Sequence, residues 1–332
     1  MAVRIGINGF GRIGMLVARA AMQYGDIEII AVNDTRPRQS LVFFKRDSVH
    51  GMWPEDVSVD DSILRIGDRD IKAFSERDPA KIPWGDVGAD IVVESSGVFT
   101  NRDAAAGHLE GGAKKVVVSA PAKGADATFV YKVNHESYDP ENHQVVSNSS
   151  CTTNCIIPMI KVLQENFGIE QGYMTTCHAY TNDQSLLDAA HKDPRRARAA
   201  AQNIVPTSTG AARTAGVIFP ELQGKVDGMA LRVPVVDGSI TDFVAQLNRE
   251  ASVEEVNDAF RQTAEGELKD IMQYTEDPLV STDIIGNPNS CIFDSQLTMS
   301  NDKTVKVFGW YDNEWGYSNR TVDLVRYIGQ NL

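Results

Sequence analysis

The sequence is short of cysteine, histidine and positive charge, and it contains no long apolar run, internal repeat or low-complexity segment. Four cysteines in 332 residues are too few for a disulfide framework, so any reactive one owes its reactivity to its surroundings. No stretch approaches the ~18 consecutive apolar residues of a membrane span. The start, Met1-Ala2-Val3-Arg4-Ile5, lacks the charged region, apolar block and cleavage site of a signal peptide, so a cytoplasmic chain without a membrane partner is expected. Thirty-two Lys and Arg against 45 Asp and Glu leave a formal charge of −13, which repels polyphosphate surfaces and argues against nucleic acid as a partner. His50, His108, His135, His143 and His191 are scattered without metal-ligand spacing, and no metal is expected. What is present is an ordinary globular composition, 42% hydrophobic, at a length that suits two domains.

An apolar run over residues 3–7 leads into Gly9-Phe10-Gly11-Arg12-Ile13-Gly14 and then into a helical stretch ending near Tyr24. A second run, Glu28-Ile29-Ile30-Ala31-Val32-Asn33, stops at Asp34. Strand, glycine-rich turn, helix, strand and an acid about 20 residues past the glycines form the dinucleotide fingerprint. Further apolar runs over residues 90–94 and 114–119 flank a helix expected to open at Thr100 and close at Gly111-Gly112. Runs without alternation suit parallel strands covered on both faces, so the first half reads as a doubly wound α/β sheet. After Gln144-Val145-Val146 the pattern changes. Residues 239–247 and 303–308 alternate polar and apolar side chains as antiparallel strands do, and Ser252-Val253-Glu254-Glu255 has capping-box spacing. The second half reads as α+β with a mostly antiparallel sheet, ending in a helix whose Val322, Val325 and Ile328 form an apolar stripe.

Three constellations carry chemistry. The glycines let backbone N–H groups approach a pyrophosphate at a helix N-terminus, and Asp34 can accept from a ribose diol while repelling a 2′-phosphate, which favours NAD. Arg36, beside the acid, can compensate a 2′-phosphate, so NADP stays open. Next, polar residues 147–150 place Cys151 at a helix N-terminus, where a thiolate is stabilised, and His178 ends an expected strand as the candidate activating base. Cys155 and Cys177 read as small core hydrophobes, because C-x-x-x-C with one distant histidine is not a zinc spacing. The third is a set of anion-suited groups: Arg195-Arg196-Ala197-Arg198, Thr207-Ser208-Thr209-Gly210 and Arg232. Together they suit an aldehyde oxidation in which a thiolate adds to the carbonyl, hydride leaves to a nicotinamide, and phosphate takes the thioester.

Over essentially its whole length the chain resembles the phosphorylating glyceraldehyde-3-phosphate dehydrogenase family. The likeness is carried, in family order, by Ile7-Asn8-Gly9-Phe10-Gly11-Arg12-Ile13-Gly14, Ser150-Cys151-Thr152-Thr153-Asn154-Cys155, Pro206-Thr207-Ser208-Thr209-Gly210-Ala211-Ala212 and Trp310-Tyr311-Asp312-Asn313-Glu314-Trp315-Gly316-Tyr317-Ser318. The resemblance implies oxidation and phosphorylation of D-glyceraldehyde 3-phosphate to 1,3-bisphosphoglycerate, with Cys151 as nucleophile and His178 as base and thiol activator. It implies cofactor contacts at Gly9, Gly11, Arg12, Ile13, Asp34, Arg77, Ser119 and Asn313. Its substrate contacts fall on Ser150, Thr152, Thr181, Arg196, Thr209, Gly210 and Arg232, which form two anion pockets, one for the substrate's phosphate and one for inorganic phosphate. It also implies a dinucleotide domain of residues 1–150 rejoined by a helix at 316–332, a catalytic domain of 151–315, and a homotetramer with residues 181–202 at a subunit interface. Arg46 stands where the family usually has tyrosine. Asp34-Thr35 and Asp188-Ala189-Ala190-His191 resemble the plastid-type branch that accepts both cofactors.

Two other readings compete. Erythrose-4-phosphate dehydrogenase, a paralogue, ends its cycle with water and needs no attacking-phosphate pocket, so Arg196 argues against it. A non-catalytic dinucleotide-binding protein has no use for Cys151 paired with His178.

Overall fold

Valine- and isoleucine-rich runs without polar alternation become the centre of a sheet. In the computed structural model, which describes residues 2–35, 42–60 and 62–332, the chain forms two units. One comprises Met1–Tyr131, His135–Ser150 and Ser318–Leu332, the other Lys132–Asn134 and Cys151–Tyr317.

The first unit holds a sheet whose strands run in the order Ala127–Thr128, Val145–Ser147, Lys115–Val118, Ile91–Glu94, Val3–Asn8, Ile27–Asn33, Arg69–Phe74, Ile63–Ile66 and Val57–Asp60. Neighbours are parallel as far as Arg69–Phe74 and antiparallel beyond it. The central strands Ile91–Glu94 and Lys115–Val118 are buried at every residue, as strands covered on both faces must be. The register sets Asn8 beside both Asn33 and Glu94, which brings three polar residues together where the strands end. The antiparallel extension formed by Val57–Asp60, Ile63–Ile66 and Arg69–Phe74 was not foreseen, although exposed residues there alternate with buried Leu64, Ile66, Ile71 and Ala73. Between residues 100 and 112 the single expected helix is two short ones, Arg102–Ala105 and Gly107–Glu110, and the cap is Asn101, whose side chain accepts from Ala104 N–H at 2.9 Å, not Thr100. The C-terminal helix Trp315–Gln330 buries Val322, Leu324, Val325 and Ile328, and within the first unit Arg326 ties it to Asp26 at 2.7 Å.

In the second unit the strand order is Val205–Ser208, Val226–Val233, Ile169–Ala179, Ser239–Leu247, Thr304–Tyr311, Cys291–Asp294 and Met272–Thr275. Only Val226–Val233 on Ile169–Ala179 and Met272–Thr275 on Cys291–Asp294 pair in parallel along this order. Ser239–Leu247 buries every second residue, and the helix Cys151–Phe167 packs on that strand and on Thr304–Tyr311. The helix Val253–Glu265 opens with the expected capping box: Glu255 N–H donates to Ser252 Oγ at 3.2 Å and Ser252 N–H to Glu255 Oε2 at 2.9 Å.

Candidate active site

The first unit contains a cavity of roughly 540 Å³ lined by Asn8, Gly9, Gly11, Asn33, Asp34, Thr35, Glu76, Arg77, Ser95, Ser96, Val98 and Phe99. It lies at the C-terminal ends of parallel strands, where open α/β sheets bind their ligands. Gly9 turns the chain with φ +85°, and a Cβ there would lie 2.3 Å from Ser96 N, so only glycine fits. At Gly11 the reason differs: a Cβ would meet no atom of the described residues within 4 Å, which leaves room for a ligand against the backbone. Gly11 caps the helix Arg12–Ala21, and no side chain among the described residues caps that terminus, so the expected anion site at Arg12 and Ile13 has its helix. Asp34 Oδ2 accepts from Phe10 N–H at 2.9 Å, which binds the ribose-contact candidate to the glycine turn. Arg12 is held bidentately by Asp47 at 3.1 and 3.3 Å. Ser119 follows its strand and donates its N–H to Glu94 O at 2.9 Å. Arg36 lies outside the described residues.

The second unit brings the thiol and the imidazole together. Cys151 is the first residue of the helix Cys151–Phe167, while His178 is the penultimate residue of the strand Ile169–Ala179. Cys151 Sγ lies 3.3 Å from His178 Nε2. His178 Nδ1 lies 2.7 Å from Ala179 O. Nδ1 faces both this carbonyl, which accepts, and Arg232 Nη1, which donates; in the tautomer that protonates Nδ1 toward Ala179 O, Nε2 presents its lone pair to sulfur. Arg232 Nη1 stands 3.0 Å from Nδ1 and donates at 3.0 Å to both Ala179 O and Thr181 Oγ1. Its buried Nε has no partner among the described residues.

The electrostatics correct one expectation. A helix terminus was expected to favour the thiolate, yet burial pushes the Cys151 thiol up to about 11, outweighing the nearby Arg232 charge and the Thr152 hydrogen bonds. Burial, followed by Arg232, drives His178 down to about 3. Neither group charges readily alone. Proton transfer across 3.3 Å would create both charges at once, so that their mutual attraction works against the desolvation that keeps each group neutral.

Around this pair a hydroxyl chain fixes Thr152. Thr152 Oγ1 and Thr176 Oγ1 lie 2.9 and 2.8 Å from Tyr311 Oη, and Thr176 Oγ1 donates to Ile240 O at 3.2 Å. Tyr311, whose ring edge meets His178, was missed as a functional residue although its motif was visible. Thr181 donates to Asp183, and Asp183 pairs with Arg196 at 2.5 Å. Arg196 also donates to Thr207 Oγ1 at 2.8 Å, and that strand ends at Ser208, just before Thr209-Gly210. Thr181, Arg196 and Arg232 are therefore connected through Asp183, which sequence reasoning missed because nothing local marks it. Gly210, like Gly11, has nothing within 4 Å of a Cβ position, and the helical turn Ala212–Thr214 follows it. Ser150 precedes Cys151 and follows Ser149, a left-handed residue at φ 60°. Asn313 is buried, its Oδ1 accepting from Ser239 Oγ at 2.7 Å. Cys155 is core as expected, while Cys177 is half-buried; all four cysteines are free thiols.

Two family models match the chain: residues 3–102 match the NAD binding domain of glyceraldehyde 3-phosphate dehydrogenase and residues 150–313 its C-terminal domain. The chain is 56% identical to the glyceraldehyde-3-phosphate dehydrogenase of Streptomyces coelicolor, with all of both chains covered. It is 56% identical to that of Geobacillus stearothermophilus over 99% of this chain and 98% of the relative. It is 54% identical to glyceraldehyde-3-phosphate dehydrogenase 1 of Bacillus subtilis over 99% of each. With both halves matched and likeness running end to end, the chain belongs to the glyceraldehyde-3-phosphate dehydrogenase family.

Proposed function

We propose that the protein oxidises and phosphorylates D-glyceraldehyde 3-phosphate to 1,3-bisphosphoglycerate with NAD. The observation that carries this reading is the 3.3 Å approach of Cys151 Sγ to His178 Nε2 beside an arginine whose buried Nε has no partner among the described residues. His178 takes the thiol proton as sulfur adds to the aldehyde carbon, giving a thiohemiacetal on Cys151. When bound, the nicotinamide supplies the hydride acceptor. His178 then removes the hydroxyl proton as that carbon is oxidised, leaving a thioester on Cys151. Thr181, Arg196 and Arg232 carry donors and charge suited to one phosphate, and Thr209, Gly210, Ser150 and Thr152 offer hydroxyls and backbone for a second. Inorganic phosphate attacks the thioester carbonyl, the C–S bond breaks, and the thiol is restored.

Asp34, tied to the glycine turn, favours a ribose diol and hence NAD over NADP. Gly9, Gly11, Arg12, Ile13, Asp34, Arg77 and Ser119 serve the cofactor, as does Asn313, whose amide can donate to and accept from a carboxamide. We place the protein in the cytoplasm, where reducing conditions keep its thiols free; no helix among the described residues is long and apolar enough to cross a membrane. We take it to be a homotetramer, because Leu186 and Leu187, within the segment 181–202, are 81% and 72% exposed in the single chain and large apolar side chains so exposed suit an interface.

The test is NADH appearance at 340 nm with the aldehyde, with and without phosphate or arsenate. Turnover that requires either anion supports the assignment. Turnover indifferent to both would move the protein to the water-ending erythrose-4-phosphate class.

A further inference from the structure

Beneath the cavity of the first unit lies a buried polar chain whose central residues, Glu94 and His108, are not among the expected cofactor contacts. Its centre is Glu94, 2% exposed and the last residue of its strand. The Glu94 carboxylate accepts from Asn8 Nδ2 at 2.5 Å, from His108 Nε2 at 2.8 Å, and from the backbone N–H of Ser96 at 2.8 Å and the Ser96 hydroxyl at 2.5 Å. His108 is fully buried, and Trp84 Nε1 donates to its Nδ1 at 3.0 Å. An indole N–H can only donate, so Nδ1 is unprotonated and Nε2–H points at Glu94. On the other side Asn8 Oδ1 accepts from Asn33 Nδ2 at 2.7 Å. Asn33 in turn closes a two-way pair with the backbone of Glu76, donating to its oxygen at 2.9 Å and accepting from its N–H at 2.8 Å.

Every link has a definite donor and acceptor, and the links meet the cavity wall at four places. They end at Asn8 beside Gly9, at Asn33 beside Asp34, at Glu76 beside Arg77, and at Ser96, all of which line the cavity. The Ser96 backbone held by Glu94 is also the surface against which Gly9 turns. One carboxylate therefore fixes the relative positions of the glycine turn, the acid that follows the second strand, and the loop facing them.

We propose that Glu94 and His108 are positioning residues for the dinucleotide: they do not contact it, but set the geometry of the wall that does. This rests on the reading of the cavity as the cofactor's. The physical demand is specific. A glutamine at position 94 offers one accepting oxygen to donors that now occupy two, so at least one wall is released. At position 108 a glutamine can still accept from Trp84 and donate to Glu94, whereas leucine can do neither.

The experiment is calorimetric titration of NAD into the purified protein, with steady-state kinetics and iodoacetamide alkylation of Cys151 in the cofactor-free protein. Glu94→Gln and His108→Leu are expected to raise the NAD Kd at least about tenfold, the size of one lost buried hydrogen bond. kcat at saturating NAD and the Cys151 alkylation rate should stay within about twofold, and His108→Gln should restore the Kd to within about threefold. A wild-type Kd in Glu94→Gln and His108→Leu would overturn the proposal, as would a loss confined to kcat. Should Glu94→Gln not fold, Ser96→Ala decides: it removes one hydroxyl donor from an exposed residue, and an unchanged Kd counts against the proposal. Failure of the wild-type protein itself to bind NAD would instead overturn the reading of the cavity, and the proposal with it.

Discussion

Cys151 and His178 are 27 positions apart, one heading a helix and the other near the end of a strand, and neither is set up to ionise unaided. Burial makes the lone thiolate and the lone imidazolium both costly, so each residue depends on the other for its charge. His178→Asn is therefore expected to move the inflection of Cys151 alkylation to higher pH and to lower kcat by about 10²–10⁴, the usual worth of a positioned base; an unmoved inflection would remove His178 as activator. The same ring carries a stability signature. Its unfolded form takes a proton below about 6.5, whereas in the fold it does so only near about 3. Between those values the unfolded state binds the extra proton, so this contribution is intact above pH 6.5 and lost as pH falls toward 3. Thermal unfolding between about pH 7 and about pH 5 should fall more steeply for the wild type than for His178→Asn. Parallel curves would mean that the ring is not held neutral.

Elements were legible where a local rule governs them. The Ser252-x-x-Glu255 spacing forms its helix cap, and Ser252→Ala should cost about 1 kcal/mol in urea unfolding, with no change in turnover; a loss below about 0.3 kcal/mol would show that the cap is not engaged in solution. The glycine turn and the acid after the second strand also follow from short-range rules. The hairpin at the sheet edge was legible by the same kind of rule but was overlooked: Gly67-Asp68 turns the chain between Ile63–Ile66 and Arg69–Phe74, whose exposed residues alternate with buried Leu64, Ile66, Ile71 and Ala73. The break between Arg102–Ala105 and Gly107–Glu110 was hidden, because it comes from packing: a Cβ on Gly107 would lie 2.8 Å from Pro79. The Glu94 chain and the Asp183 link were illegible for a related reason. Each is a single polar residue that, besides one partner two positions away, is joined to residues distant in sequence, Asn8 and His108 for Glu94 and Arg196 for Asp183, which only sheet register or loop folding brings to it.

For the molecule as a whole, four motifs in order identified the family and its two sheets, while cofactor preference and assembly depend on details finer than motifs. Asp34→Gly is expected to improve NADP relative to NAD by about tenfold or more in kcat/KM, since it removes one charge facing the 2′ position; an unchanged ratio would contradict the ribose assignment. Sedimentation should give about four times the chain mass, with Leu186→Glu and Leu187→Glu together weakening the assembly. The central claim is that the substrate passes through Cys151 as a thioester. It is tested most directly by mixing protein, aldehyde and NAD without phosphate, quenching in acid, and locating the adduct by peptide mass spectrometry. A phosphoglyceroyl group on the Cys151 peptide that vanishes on addition of phosphate is the expected result. Full turnover by Cys151→Ser, or an adduct on any other residue, would contradict it.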